Sequence, residues 1–110
     1  MKKTALQKQF QKETEKIKDR LVLIYKPKKI ILYGSTASGK ASQGSDIDLV
    51  LIKRTGKNFY DRIGEISGIV KHNLPIDFLV YTPSEFEKMA KENWFIKNEV
   101  IRRGQVIYGG

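Results

Sequence analysis

The chain has 110 residues, 40% of them hydrophobic and 30% charged, a formal net charge of +9 and no cysteine. This length supports one modest core and the composition excludes a disordered chain. The lack of thiols excludes a disulfide framework and thiolate chemistry, and fits a reducing compartment.

The longest wholly apolar run, Leu21 to Tyr25, is far short of the roughly 20 residues a membrane span requires. The basic start is followed by no apolar leader segment. A cytoplasmic protein with no membrane partner is expected, folded as one domain over residues 1–110. The positive excess lies almost entirely in residues 1–40, on the first predicted helix and the Lys26 to Lys29 segment. Such a face attracts phosphates, acidic proteins or nucleic acid. No array of arginines with interleaved aromatics favours nucleic acid, and Lys2 and Lys3 read as a solvated end.

Apolar residues at Leu6, Phe10, Ile17, Leu21 and Ile24 repeat at helical spacing, with Thr4 as N-cap. Pro27 ends that helix and pushes Lys26 toward an extended conformation. Lys29 to Tyr33 reads as a buried strand, followed by a small, flexible loop from Gly34 to Ser45 and a second strand over Asp46–Lys53. Phe59, Ile63, Ile66, Ile69 and Val70 predict a helix weakened by Gly64 and Gly68 and broken over His72–Pro75. Ile76 to Tyr81 forms a third strand. Ser84 with Glu87 predicts a capping box, and helical spacing then runs through Phe86, Met89, Ile96 and Val100 with a break near Asn93. Gly104 reads as a helix stop, and Gln105 to Tyr108 as a short edge strand. The order implies an α+β (α/β) domain, helices packed on a small mixed sheet.

The chemistry lies in the loop and the strand after it. Asp46 and Asp48 are two apart, so on a strand they leave one face with Cα atoms roughly 6.6 Å apart, while Ile47 and Leu49 turn to the core. Carboxylates this close repel unless a cation lies between them, and Mg²⁺ suits one or two carboxylates completed by water and phosphate. The glycines of the loop let backbone N–H groups approach phosphate oxygens, and Ser35 adds a hydroxyl. Asp77, inside an apolar strand where an unpartnered charge is costly, converges on the pair if its strand lies beside the second. Three such carboxylates facing phosphate suit a two-metal site.

Gly34-Ser35 with Gly39, then Ser45-Asp46-Ile47-Asp48-Leu49 and the later Asp77, resembles the DNA polymerase β nucleotidyltransferase superfamily, specifically its minimal single-domain nucleotidyltransferases. The likeness covers nearly the whole chain. It implies that Asp46, Asp48 and Asp77 ligate Mg²⁺ (Mn²⁺ as the alternative), and that Asp77 helps deprotonate the attacking hydroxyl. It further implies that Gly34, Ser35, Lys40 and Ser45 bind the nucleotide, ATP above others. Ser38 stands where many relatives carry arginine, and Lys40 is the substitute charge. Members of this length often pair with a helical HEPN-type toxin, transferring AMP to its tyrosine and so acting as the antitoxin of a type VII pair. The apolar Phe86, Trp94, Phe95 and Ile96 are candidates for such an interface.

Three readings compete. Gly34 to Lys40 satisfies G-x-x-x-x-G-K, but Ala41 replaces the Mg²⁺-binding hydroxyl and the next residues make a poor helix. The fold could instead serve as a non-catalytic module that neutralises its partner by contact, or transfer nucleotides to a small molecule. Singly, Asp46 could end a loop, Asp77 could pair with a core lysine, His72 reads as a helix-end residue, and Tyr33 and Trp94 as core or interface.

Overall fold

A computed structural model describes residues 4–71 and 74–110 of the chain. The predicted readings of His72, Lys2 and Lys3 lie outside these residues.

Helix α1 (Ala5–Arg20) starts where predicted. The Thr4 side chain accepts from the Gln7 N–H, and the Gln7 side chain returns the bond to the Thr4 N–H, a reciprocal cap. A π-helical turn, Leu21–Tyr25, extends it. The wider turn moves the buried stripe from Leu21 to Tyr25, so the expected Ile24 is turned outward and Tyr25 enters the core. Lys26 is left-handed (φ 56°), not extended as expected. Pro27 disfavours only the right-handed helical region at this residue, and a left-handed cap lets the Lys26 N–H bond Leu21 O at 2.9 Å.

Strands β1 (Lys29–Tyr33), β2 (Ile47–Ile52), β3 (Ile76–Tyr81) and β4 (Gln105–Tyr108) form one sheet in the order β3-β2-β1-β4. β1 pairs antiparallel with β2 and β4, while β2 pairs parallel with β3 through the crossover helix α3 (Phe59–Ile69). One face of the sheet packs Ile30, Leu32, Ile47, Leu49, Leu51 and Val80 against α1 and α3. The other face packs Ile31, Tyr33 and Val50 against Ile96 and Val100 of a second π-helical segment, Ile96–Arg102. Each such buried aliphatic side chain contributes about 1.5–3 kcal/mol of hydrophobic stabilisation. The alternating pattern of β2 therefore sends Ile47 and Leu49 to one core and leaves Asp48 on the opposite face.

Helix α4 (Pro83–Glu92) begins two residues earlier than expected, capped by Thr82 with Glu85 and not by Ser84 with Glu87. Glu85 is selected because it also pairs with Arg62 of α3 at 2.7 Å. The break near Asn93 is present: its backbone is extended and its side chain accepts from the Ile96 N–H at 3.0 Å. Gly104 follows the last helical turn as predicted, but for a different reason. A Cβ there would lie 2.0 Å from Val100 O, so close packing and not a left-handed cap requires glycine.

Candidate active site

β1 ends at Tyr33, and Gly34 turns the chain with φ +77°. A Cβ on Gly34 would come within 2.5 Å of Asp48 Oδ2. The first glycine of the loop is thus held against a carboxylate, in a conformation that L side chains rarely adopt.

The loop is more ordered than its composition suggests. Gly34–Ala37 form one helical turn, α2, closed by the Ser38 N–H on Gly34 O at 3.2 Å. The Lys40 N–H bonds Ser35 O at 2.9 Å, and Ser38 Oγ donates to the same carbonyl at 3.2 Å. Thr36 Oγ1 donates to Asp46 O at 3.1 Å, tying the start of the loop to its end. The Gln7 side-chain amide of α1 donates to Gly39 O. Ser45 Oγ accepts from the Ser42 N–H at 2.9 Å, so that hydroxyl is engaged in the loop's own turn. Gly34, Lys40 and Asp46 are exposed, and Ser35 is half-buried.

The strand register brings the carboxylates together. Asp48 lies directly opposite Asp77 across the parallel β2–β3 pair, and opposite Tyr33 across the antiparallel β1–β2 pair. Asp46 precedes β2, separated from Asp48 by the fully buried Ile47. The two aspartates of the motif and Asp77 are thus neighbours on one face, beside the Gly34 turn. Asp77 is exposed, which corrects the expectation that burial makes its charge costly: β3 is a sheet edge. The cost falls on Asp48. Its burial, then the charges of Asp77 and Asp46, raise its pKa to about 6. Burial and the same carboxylates, Asp48 before Asp77, push the Tyr33 hydroxyl above its usual range, so it stays neutral.

Among the described residues, neither Asp46, Asp48 nor Asp77 forms an ion pair with a lysine or arginine. The alternative of Asp77 pairing with a core lysine is therefore not realised. Among the same residues, no three His, Cys, Asp or Glu side chains close tightly enough to cage a metal ion by themselves. The donor set nevertheless fits Mg²⁺, which is held by one or two carboxylates plus substrate phosphates more often than by an all-protein cage. Burial first, then the repulsion of Asp77 and Asp46, disfavours the Asp48 carboxylate, and a cation held there would offset both.

Sequence reasoning missed Thr36 and Gln7, whose side chains fasten the loop, and it read Tyr33 as core or interface without its place beside Asp48. Only the strand register could have placed Tyr33 beside Asp48. The Walker-like reading is overturned, since the loop opens a single turn and joins antiparallel strands, whereas a phosphate loop of that kind opens a full helix. A cavity of about 280 Å³ behind the loop, lined by Phe10, Thr14, Leu32 and Ala37, lies on the sheet face opposite the carboxylates.

Residues 14–107 match the nucleotidyltransferase domain family. The chain belongs to this family. A relative from Methanocaldococcus jannaschii, provisionally named the protein adenylyltransferase MJ0604, is 32% identical over 83 residues, covering 74% of this chain and 78% of that one. A crystal structure from Sulfolobus solfataricus, provisionally named a nucleotidyltransferase, superposes with a TM-score of 0.64 at 18% identity. It covers 94% of this chain and 83% of the other, and it establishes a shared fold. The nucleotidyltransferase is therefore an α+β transferase whose motif aspartates sit at the mouth of the β1–β2 hairpin. Among the described residues, no helix is long and apolar enough to cross a membrane.

Proposed function

We propose that this nucleotidyltransferase moves AMP from ATP to a hydroxyl of a protein acceptor, a tyrosine of a helical HEPN-type partner, and so acts as the antitoxin of a toxin–antitoxin pair. The observation that carries the reading is the direct opposition of Asp48 and Asp77 on parallel strands, beside the Gly34 turn. The name of the Methanocaldococcus relative supports a protein acceptor and the adenylyl group. The cytoplasm, where ATP and Mg²⁺ are abundant, is the proposed compartment.

In this reading Gly34 and Ser35 hold the triphosphate through backbone N–H groups and a hydroxyl, with the Lys40 ammonium as the nearby positive charge. Asp46, Asp48 and Asp77 would hold Mg²⁺ or Mn²⁺, which when bound neutralises charge on the triphosphate and on the departing pyrophosphate. The acceptor oxygen attacks the α-phosphorus as the bond to the β-phosphate bridging oxygen breaks, and pyrophosphate leaves. Asp77, the exposed carboxylate, takes the hydroxyl proton. Asp48, half-buried between Gly34 and Asp77, fixes the geometry.

Incubation with α-labelled ATP and a helical HEPN-type partner protein should label that protein, and Asp46→Asn or Asp48→Asn should abolish the labelling. Undiminished labelling in those variants would sink the proposal. Ser38, whose hydroxyl goes to Ser35 O and which brings no charge to the loop, favours a second reading, a module that acts by contact alone. Full neutralisation of the partner by the Asp46→Asn/Asp48→Asn double variant would select it.

A further inference from the structure

Tyr33 closes β1 immediately before the Gly34 turn and is the register partner of Asp48, so the two side chains leave one face of the sheet. It is 6% exposed, and its ring packs edge-on against Phe95, with centroids 5.5 Å apart and planes at 87°. That contact fixes where the hydroxyl points. Burial first, then the charges of Asp48 and Asp77, keep the phenol protonated, so its oxygen lies in the field of both carboxylates. Among the described residues the hydroxyl nevertheless has no hydrogen-bond partner, and neither carboxylate accepts from it. Nor is the oxygen sealed in. The one fully enclosed side-chain oxygen without a partner, among the described residues, is the hydroxyl of Tyr25, in the core on the other face. Tyr33 therefore has a covered ring and an open, unpaired donor beside Asp48.

Phenylalanine would fill the same space with no polar atom to satisfy, whereas a confined hydroxyl is costly until it is paired. A partner from outside the chain has to be an acceptor, because the phenol offers its proton and stays neutral. Oxygen atoms of that kind enter with a hydrated cation and with a triphosphate. We propose that the Tyr33 hydroxyl is a ligand-binding donor of this site, giving its hydrogen bond to an oxygen that enters with the divalent cation and the nucleotide: a water of the cation or an oxygen of the triphosphate. A neutral donor neither repels the cation nor competes with it for the carboxylates. This inference rests on the reading that Asp46, Asp48 and Asp77 hold metal and nucleotide, and adds to it a residue from the strand before the loop.

Tyr33→Phe keeps the ring and its contact with Phe95 and removes only the donor. Calorimetric titration of the full chain with Mn²⁺ alone, and with Mn²⁺ plus α,β-methylene-ATP, which cannot be cleaved at the reacting bond, reads the two sources separately. Loss of one hydrogen bond should weaken binding about tenfold. A loss already present with Mn²⁺ alone assigns the partner to a water of the cation, and a loss seen only with the analogue assigns it to the triphosphate. In a chelator, with neither ligand present, Tyr33→Phe should melt at or above the wild-type temperature, because an unpaired hydroxyl has been removed. The rise in melting temperature on adding Mn²⁺ and the analogue should be smaller than in wild type. Tyr25→Phe, which deletes the enclosed hydroxyl of the other core, should leave both affinities unchanged.

Undiminished affinity of Tyr33→Phe in both titrations overturns the assignment. So does a lowered melting temperature in chelator, which would mean that the hydroxyl is already bonded within the protein, or an equal loss of affinity in Tyr25→Phe, which would mean that the effect is not local. Wild-type protein separates this inference from the reading beneath it. If wild type binds the cation and the analogue while Tyr33→Phe binds them equally well, only the role of Tyr33 fails. If wild type binds neither, the metal and nucleotide site itself fails, and the donor with it.

Discussion

At Gly34 a single methyl group carries two penalties. The backbone there is left-handed, which costs an L-residue about 1–2 kcal/mol, and the new Cβ would press on Asp48 Oδ2. Gly34→Ala is expected to lower transfer on the order of 100-fold, the cost of an ångström-scale displacement at a reacting centre. Assay of pyrophosphate release in the purified variant checks it, and near-wild-type turnover would mean that Asp48 is not held by this contact. Asp48 itself predicts an opposition between stability and activity. Its folded-state pKa is raised from near 3.8 to about 6, so the folded state loses stability as pH rises through that window and the deprotonated form accumulates. Without bound metal, Asp48→Asn should be more stable than wild type by on the order of 2 kcal/mol above pH 6, with no advantage below pH 4. Denaturant melts across pH in the presence of a chelator measure this, while the same variant should be inactive.

At the scale of the elements, Arg62 is the buried charge that fastens the crossover. It is 6% exposed, donates to Lys57 O at 2.8 Å and to Val80 O at 3.1 Å, and grips Glu85 at the start of α4. Glu85 is half-exposed and its pKa is lowered, first by the hydrogen bond from Arg62. Arg62→Ala should therefore lower the melting temperature by roughly 5–10 °C, about 2 kcal/mol, less than a fully buried pair would lose. The lowered carboxyl also means that wild type should lose part of its stability as pH falls below the ordinary glutamate range, and Arg62→Ala should lose less. This same contact explains the misplaced cap. Both Thr82-x-x-Glu85 and Ser84-x-x-Glu87 satisfy the capping pattern locally, and a long-range partner decides between them. The strands, by contrast, were legible, because apolar runs broken by glycine, proline and asparagine carry their own boundaries. The π-helical turn at Leu21–Tyr25 was not: its bulge shows only in which side chain, Ile24 or Tyr25, meets the core.

Across the whole molecule, the reaction class was legible because two aspartates flanking a buried isoleucine admit few explanations, and the family match agrees with it. The neighbourhood of Asp77 depended on the guess that β3 lies beside β2, which the parallel register bears out. The surface was legible only in part: of the apolar residues offered for an interface, Trp94 and Phe95 are exposed, while Ile96 is buried in the core. Trp94 could equally have been core, and nothing local says which aromatic meets Tyr33. The charge distribution yields a further expectation. Because the excess is concentrated in residues 1–40 and largely solvated, attraction for the anionic nucleotide should weaken with added salt. KM for ATP should climb with ionic strength while the melting temperature stays nearly constant.

The sheet order has a consequence for how the site comes and goes. Asp48 is held in the β1–β2 hairpin, flanked on both sides by paired strands, whereas Asp77 rides on an edge strand joined only through the α3 crossover. Edge strands held by non-local pairing open at lower free energy than the centre of a sheet and close late in folding. Amide hydrogens of Ile76–Val80 should therefore exchange faster than those of Ile30–Leu32, by a margin that mild denaturant or warming widens. The complete carboxylate set is thus a property of a local equilibrium, and conditions too gentle to unfold the protein would already silence it.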